Sequence, residues 1–287
     1  MPTCKRTLHT LVLTVGLMLP ALAHADTLLE FLVKEPGASS SHLQTVTIKE
    51  GQMMAKGAGG DPRTDLFFNR ATEQVTVIDH RQRTVMTVDE GQIDRLGQQA
   101  KTVQPLMREI GQQLAKLSPE ERGKWQALVG ENFSLEEIAK AATPPPPTRL
   151  LAIGRSKAAG IPCQTMRVTQ GSTPLAELCM AEADALAMPA EDFATVRALV
   201  GMYERIAPKA QRLASQFGLT VPMVALGQVP GIPIVFRDLT RADPSPRQSE
   251  RRQAQGSVIL IRISRAAIAP AEMRIPAGYA NKPLQLW

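Results

Sequence analysis

The chain has 287 residues, 44% of them hydrophobic and 4% aromatic, with 33 Lys and Arg against 27 Asp and Glu for a net charge of +6. That length suits one large domain or two small ones with a sizeable core. The charge is mild and spread out, and so few aromatic rings offer few stacking platforms, which argues against nucleic acid as a partner.

The first segment reads as a leader. Lys5 and Arg6 precede an uncharged apolar run over 11–22, and Ala23-His24-Ala25 is a small-x-small site. This pattern predicts a secretory signal peptide over 1–25, cleaved between Ala25 and Asp26. The run is short for a bilayer span and Pro20 interrupts it. Cys4 lies before the run and not at the cleavage site, so lipidation there is excluded. The expected product is a soluble periplasmic protein that does not span the membrane, with residues 26–287 forming one domain.

Three cysteines become two when Cys4 leaves with the leader. Cys163 and Cys179 bound CQTMRVTQGSTPLAELC, which reads as strands 163–169 and 174–181 around a Gly171-Ser172 turn. Folding that hairpin brings the cysteines close together, and an oxidising compartment would join them in a disulfide. The alternative, a catalytic redox pair, would more usually be Cys-x-x-Cys at a helix start, which is absent. The pair therefore reads as structural.

Along the mature chain, period-two alternation predicts strands at 27–34, 43–49, 52–56, 63–69, 74–79 and 84–88, with a turn at Glu50-Gly51. At Asp89 the period becomes helical. Asp89 and Gln92 have N-cap and N3 spacing, and Ile93, Leu96, Ala100, Val103, Met107, Ile110, Leu114 and Leu117 form one stripe, kinked at Pro105. Further helix starts fall at Ser118 and Ser134, before a proline spacer over 144–147. Residues 89–147 thus read as a helical insert. Strands resume at 149–156 and continue through the cysteine hairpin. A second long helix spans 190–217, carrying Phe193, Val196, Val200, Tyr203 and Ala207, with Pro208 kinking or breaking it. Strands at 232–240 and 257–265 follow, separated by the basic patch 247–252, which reads as a solvated loop. The expected class is α+β: one antiparallel, half-barrel-like sheet with two long amphipathic helices and a helical insert.

Several of these segments resemble a known family. Ile153-Gly154-Arg155-Ser156-Lys157 with Ala159-Gly160-Ile161-Pro162-Cys163, Val229-Pro230-Gly231-Ile232-Pro233-Ile234 and Ile275-Pro276-Ala277-Gly278-Tyr279 look like the bacterial periplasmic proteins grouped as domain of unknown function 4412. Ile48-Lys49-Glu50-Gly51-Gln52-Met53, Asn69-Arg70, Val77-Ile78-Asp79 and Thr84-Val85-Met86 resemble that family's early hairpins. The resemblance covers most of the mature chain except the insert. It implies a shape similar to periplasmic lipoprotein carriers, open half-barrels whose helices line an apolar cleft.

Chemistry is thinly supplied. Of four histidines, only His42 and His80 lie in the mature chain. His80 reads as a solvated turn residue, His42 follows a flexible-looking serine run, and neither has a ligand partner at metal spacing. The glycines of 56–62 lie between strands, unlike a phosphate-binding loop. Glu120-Glu121 and Glu136-Glu137 suit first helical turns. Methionines such as Met53, Met54, Met166, Met180 and Met202 suit either core gaps or an adaptable cleft. No catalytic residue, cofactor or metal is assigned. The expectation is a non-enzymatic binder of an apolar ligand, a lipid or lipoprotein acyl chain, or of an envelope partner. The alternative is a structural protein that forms a homodimer or docks through its long helices.

Overall fold

The computed structural model describes residues 26–118, 120–121, 123–125, 148–215, 226, 229–240 and 256–284. The expected leader with Ala25, the helix start at Ser134, the proline spacer and the basic patch 247–252 lie outside the described residues. Asp26 is the first residue of the first strand.

In chain order the strands are β1 (Asp26–Lys34), β2 (His42–Lys49), β3 (Gln52–Lys56), β4 (Thr64–Asn69), β5 (Gln74–Asp79) and β6 (Thr84–Val88). Helix α1 (Glu90–Lys116) precedes β7 (Thr148–Ala158), β8 (Ile161–Gln170) and β9 (Thr173–Ala181). A single helical turn α2 (Ala183–Leu186), the long α3 (Ala190–Ser215), β10 (Ile232–Asp238), β11 (Ser257–Ala266) and β12 (Ala280–Asn281) complete the described chain. All 12 strands among the described residues join one open sheet in the order β12-β6-β5-β4-β3-β2-β1-β11-β10-β9-β8-β7. The two strand groups therefore do merge into one sheet, as expected. The sheet is mixed and not purely antiparallel, because β12 pairs parallel to β6.

Local chemistry explains the hairpins. Glu50-Gly51 and Ala159-Gly160 each hold both turn residues at positive φ, the two-residue geometry that matches strand twist. Alternation then sorts the β1–β6 half into two faces. Val46, Ile48 and Met53 pack with Leu29 under Phe193 and Val196 of α3. Met54, Phe67, Ile78 and Val85 point the other way and are covered by Ile268, Met273 and Tyr279. The C-terminal segment thus crosses one face of the sheet, adds β12 at its edge, and brings Leu284 against Ile93, Leu96 and Ile206 on the helix side. Ala280 N donates to Arg83 O and Lys282 N to Val85 O.

His80 belongs to this strap and is not a free turn residue. One ring nitrogen lies 2.9 Å from Asp65 Oδ2 and the other 2.9 Å from the Tyr279 hydroxyl. Two residues distant in sequence close around it, which its local turn context did not reveal. His42 likewise begins β2, and its Nε2 is buried with no hydrogen-bond partner among the described residues. Replacing Ile268 with alanine is expected to cost about 3 kcal/mol, the usual loss for a buried aliphatic truncation, while Tyr279→Phe costs about 1 kcal/mol. Urea unfolding of the two variants checks the order; equal small losses would mean that the segment does not fasten the sheet.

The helices start as their caps predict. Asp89 accepts from Gln92 N at 2.7 Å, and Ser118 and Glu121 form a reciprocal capping box. Both interior prolines are accommodated: α1 runs through Pro105 and α3 through Pro208, so Pro208 does not break its helix. Buried Met202 and Ala207 before it anchor the helix, offsetting the one lost backbone bond. Phe193, Val196 and Ala207 of the expected stripe do face the core, and one member departs from it. Thr195 and Met202 are buried, whereas Tyr203 is exposed. Ion pairs join α3 to its surroundings: Arg205 meets Glu73 and Glu90, and Lys209 meets Glu90 and Asp94. Hydrogen bonds from Lys209 and then Arg205 hold the Glu90 carboxyl below its usual range.

The β1–β7 half is built differently. Four register shifts fall at Glu30/Phe31, Pro233/Val235, Ala152/Gly154 and Val168/Thr169, and the β2–β6 ladders have none. Each bulge adds twist and bend. This wing is accordingly curled so far that β7 and β11, four places apart in strand order, come within 8 Å between Cα atoms. Cys163 and Cys179 are disulfide-bonded inside it, with Cα atoms 5.4 Å apart. The exposed edge strand β7 carries Arg149, Arg155 and Lys157, charges that discourage edge-to-edge pairing.

Candidate functional site

Among the described residues α3 covers one face of the sheet and the C-terminal segment part of the other, and Leu32 and Leu43 lie outside that cover. In the register Leu43 stands opposite Leu32, Leu32 opposite Ile259, and Ile259 opposite Val235. Directly opposed residues share a face, so these four side chains form one row across β2, β1, β11 and β10. Leu29 packs under α3, and Leu32, three residues further along β1, points the other way by alternation. At β1 the row therefore lies on the face opposite that helix. Its inner end, Ile259 and Val235, is drawn into the cluster that holds Leu29, Ile48 and the disulfide. Burial rises along the row. Leu43 is 55% exposed and Leu32 39%, Ile259 is half-buried and Val235 is 9% exposed. At strand spacing the three outer residues span roughly 10 Å. Ile261, the extra residue of the β1–β11 bulge, adds a further exposed side chain at 44%. Scattered surface leucines are ordinary, but a contiguous in-register row is the kind of patch that marks a binding surface.

Two polar rows flank it. On one side Glu30, itself buried, is held by the guanidinium of Arg262. That hydrogen bond lowers the Glu30 carboxyl below its usual range and raises Arg262. On the other side Lys34, Ser257, Arg237, Glu177 and Arg167 stand opposite one another in turn. Arg167 donates twice to Glu177 Oε1, at 3.2 and 2.7 Å.

A second polar cluster lies at the far end of β1, beneath the first turn of α3. The Thr27 hydroxyl donates to Asp192 and accepts from Arg265 Nη1, whose other nitrogen donates to Ala187 O. Asp26 Oδ2 accepts from Lys49 Nζ and from Ile268 N, both at 2.9 Å. Every charge here is partnered within the fold, so this cluster is a structural joint between β1, α3 and the C-terminal segment. Burial pushes the Asp192 carboxyl up, against the Thr27 bond and the Arg265 charge. A raised folded value means that the folded state binds this proton more tightly than the unfolded chain. The contribution is then fully present below the ordinary carboxylate range and is lost as pH rises through the window up to the raised value. Asp192→Asn keeps an acceptor for Thr27 without the buried charge. It should gain stability relative to wild type as pH rises from about 4 towards neutrality, whereas Asp192→Ala loses stability throughout. Urea midpoints across pH check this; parallel curves for wild type and Asp192→Asn would refute it.

A shallow hollow of about 230 Å³ lies beside α2, lined by Glu182, Ala183, Asp184, Phe193, Pro230 and Gly231. The exposed carboxylates of Glu182 and Asp184 stand at its rim, and it is small for a long apolar tail. Among the described residues no helix is long and apolar enough to cross a membrane. Met54, Met166, Met180 and Met202 are all buried, so these thioethers fill the core and do not line the strip. Leu32, Leu43 and Ile259 carried no site signal in the sequence. Each sits in a strand whose alternation is ordinary, and only the register places them side by side.

No family model matches the chain, and no curated protein matches it. Among solved structures it is similar to an uncharacterized conserved protein from Thermus thermophilus, with 8% identity, a TM-score of 0.38, and coverage of 91% of this chain and 92% of that one.

Proposed function

We propose that this is an exported, non-enzymatic periplasmic protein whose sheet acts as a half-barrel and holds an apolar chain of a lipid or acylated partner along the Leu43–Leu32–Ile259 row. The observation that carries the reading is the row itself: apolar side chains in register, exposed at β2 and progressively buried towards the curled wing. The leader pattern of residues 1–25 and the disulfide support an oxidising destination. The motif resemblance to the domain of unknown function 4412 family, with its carrier-like shape, points the same way.

A fluorescent long-chain alkyl probe, titrated into the purified full chain below its aggregation concentration, tests this. Placing a carboxylate at either exposed position, Leu32→Asp or Leu43→Asp, should weaken binding about tenfold or more, since burying a charge opposite the tail is costly. Both side chains are already partly solvated, so the thermal midpoint should move little. Saturable binding unchanged in both variants would remove the row from the site.

A further inference from the structure

The polar row beside the strip carries an imbalance of charge. Across β1, β11 and β10 it reads Lys34, Ser257, Arg237, each directly opposite the next. The next pair, Glu177 and Arg167, neutralises itself through two hydrogen bonds. Of the carboxylates adjacent in the chain, Asp238 accepts from the backbone and hydroxyl of Thr240, and Glu35, whose carboxylate lies near Gly60, makes no ion pair with Lys34 among the described residues. Lys34 and Arg237 make no ion pair among the described residues, and a serine hydroxyl stands between them. Two strand spacings separate them, roughly 10 Å, so two long cationic side chains can converge on one group over Ser257. They share the face of Leu32, Ile259 and Val235, each two residues along its own strand.

We infer that the occupant of the strip is an anionic amphiphile, with its alkyl tail on Leu43, Leu32 and Ile259 and its negative head group between Lys34 and Arg237. The inference rests on the apolar-chain reading above and adds the sign of the head group. An ammonium donor and a guanidinium fork on either side of a hydroxyl match the acceptor oxygens of a phosphate or carboxylate. A cationic head at the same place would meet repulsion, and an uncharged head no net electrostatic attraction.

The test compares three probes of equal chain length on the full chain: hexadecyl phosphate, the uncharged hexadecyl maltoside and hexadecyltrimethylammonium, each kept monomeric. Hexadecyl phosphate should bind at least about tenfold more tightly than the other two, the worth of one charge-assisted hydrogen bond. Added salt should erode that preference. Lys34→Glu and Arg237→Glu should each cost about tenfold for hexadecyl phosphate, with an unchanged thermal midpoint, read separately, showing that the variants remain folded. Equal binding of all three probes, or a preference that survives both charge reversals, overturns the inference while leaving the apolar-chain reading standing. Failure of every probe to bind overturns both.

Discussion

Gly231→Ala should destabilise the protein by about 3 kcal/mol or more, through strain and overlap acting together. Gly231 sits at φ +102 at the entrance to β10, and a Cβ there would lie 2.5 Å from Ala181 O and 2.8 Å from its carbonyl carbon. Those are backbone atoms of the neighbouring strand, which cannot turn aside as a side chain can. Ala181 pairs with Ile232, the first residue of β10, so any shift is transmitted to the ladder that fixes the bulge at Pro233/Val235. Gly160→Ala serves as the comparison. Its φ is +81, but nothing lies within 4 Å of the added Cβ. It should cost only about 1 kcal/mol for the left-handed backbone. Equal losses in the two variants would mean that the close approach to Ala181 is not a constraint.

The second large effect is expected from the disulfide. Cys163 and Cys179 are separated by 16 residues, a loop for which a crosslink is worth about 3 kcal/mol through the unfolded state. Both are buried, at 6% and 4% exposure. The double variant Cys163→Ala/Cys179→Ala should therefore lose about that amount, and reduction of the wild type should approach the same stability. The bond clips β8 to β9 in the wing that carries the most bulges, so the loss should also loosen the inner end of the apolar row at Val235, which pairs with Cys179. Urea unfolding with and without reductant measures the first effect. Hydrogen exchange at β9 and β10 measures the second. A double variant as stable as wild type would show that the hairpin turn alone sets this geometry.

Much of the fold was legible because its signals are local. The hairpins rest on turn pairs such as Glu50-Gly51, and the helix starts rest on caps such as Asp89 and Ser118, which fall within four residues of what they satisfy. The cysteine pairing followed from a two-residue turn and from the oxidising compartment that the leader pattern led one to expect. What could not be read depends on contacts remote in sequence. Tyr279 reaches His80 across 199 positions, and β12, two residues long, has no periodicity to detect. The exposure of Tyr203 depends on how α3 is rotated against the sheet, because its 3-4 spacing fits either adjacent stripe. Four bulges decide how far the wing curls, and only Pro233 and Gly154 hint at them in sequence. The apolar row is the extreme case. Leu43, Leu32 and Ile259 come from three separated segments, and a slip of one residue in either ladder would turn part of the row to the other face.

That the row holds an alkyl chain is tested most directly by native mass spectrometry of the full chain purified from its source cells without detergent. The expected spectrum shows the protein with one amphiphile of defined mass, released on denaturation, and that adduct is lost in Leu32→Asp and Leu43→Asp. A spectrum of bare protein in the wild type, together with no saturable uptake of an added alkyl probe, would contradict it.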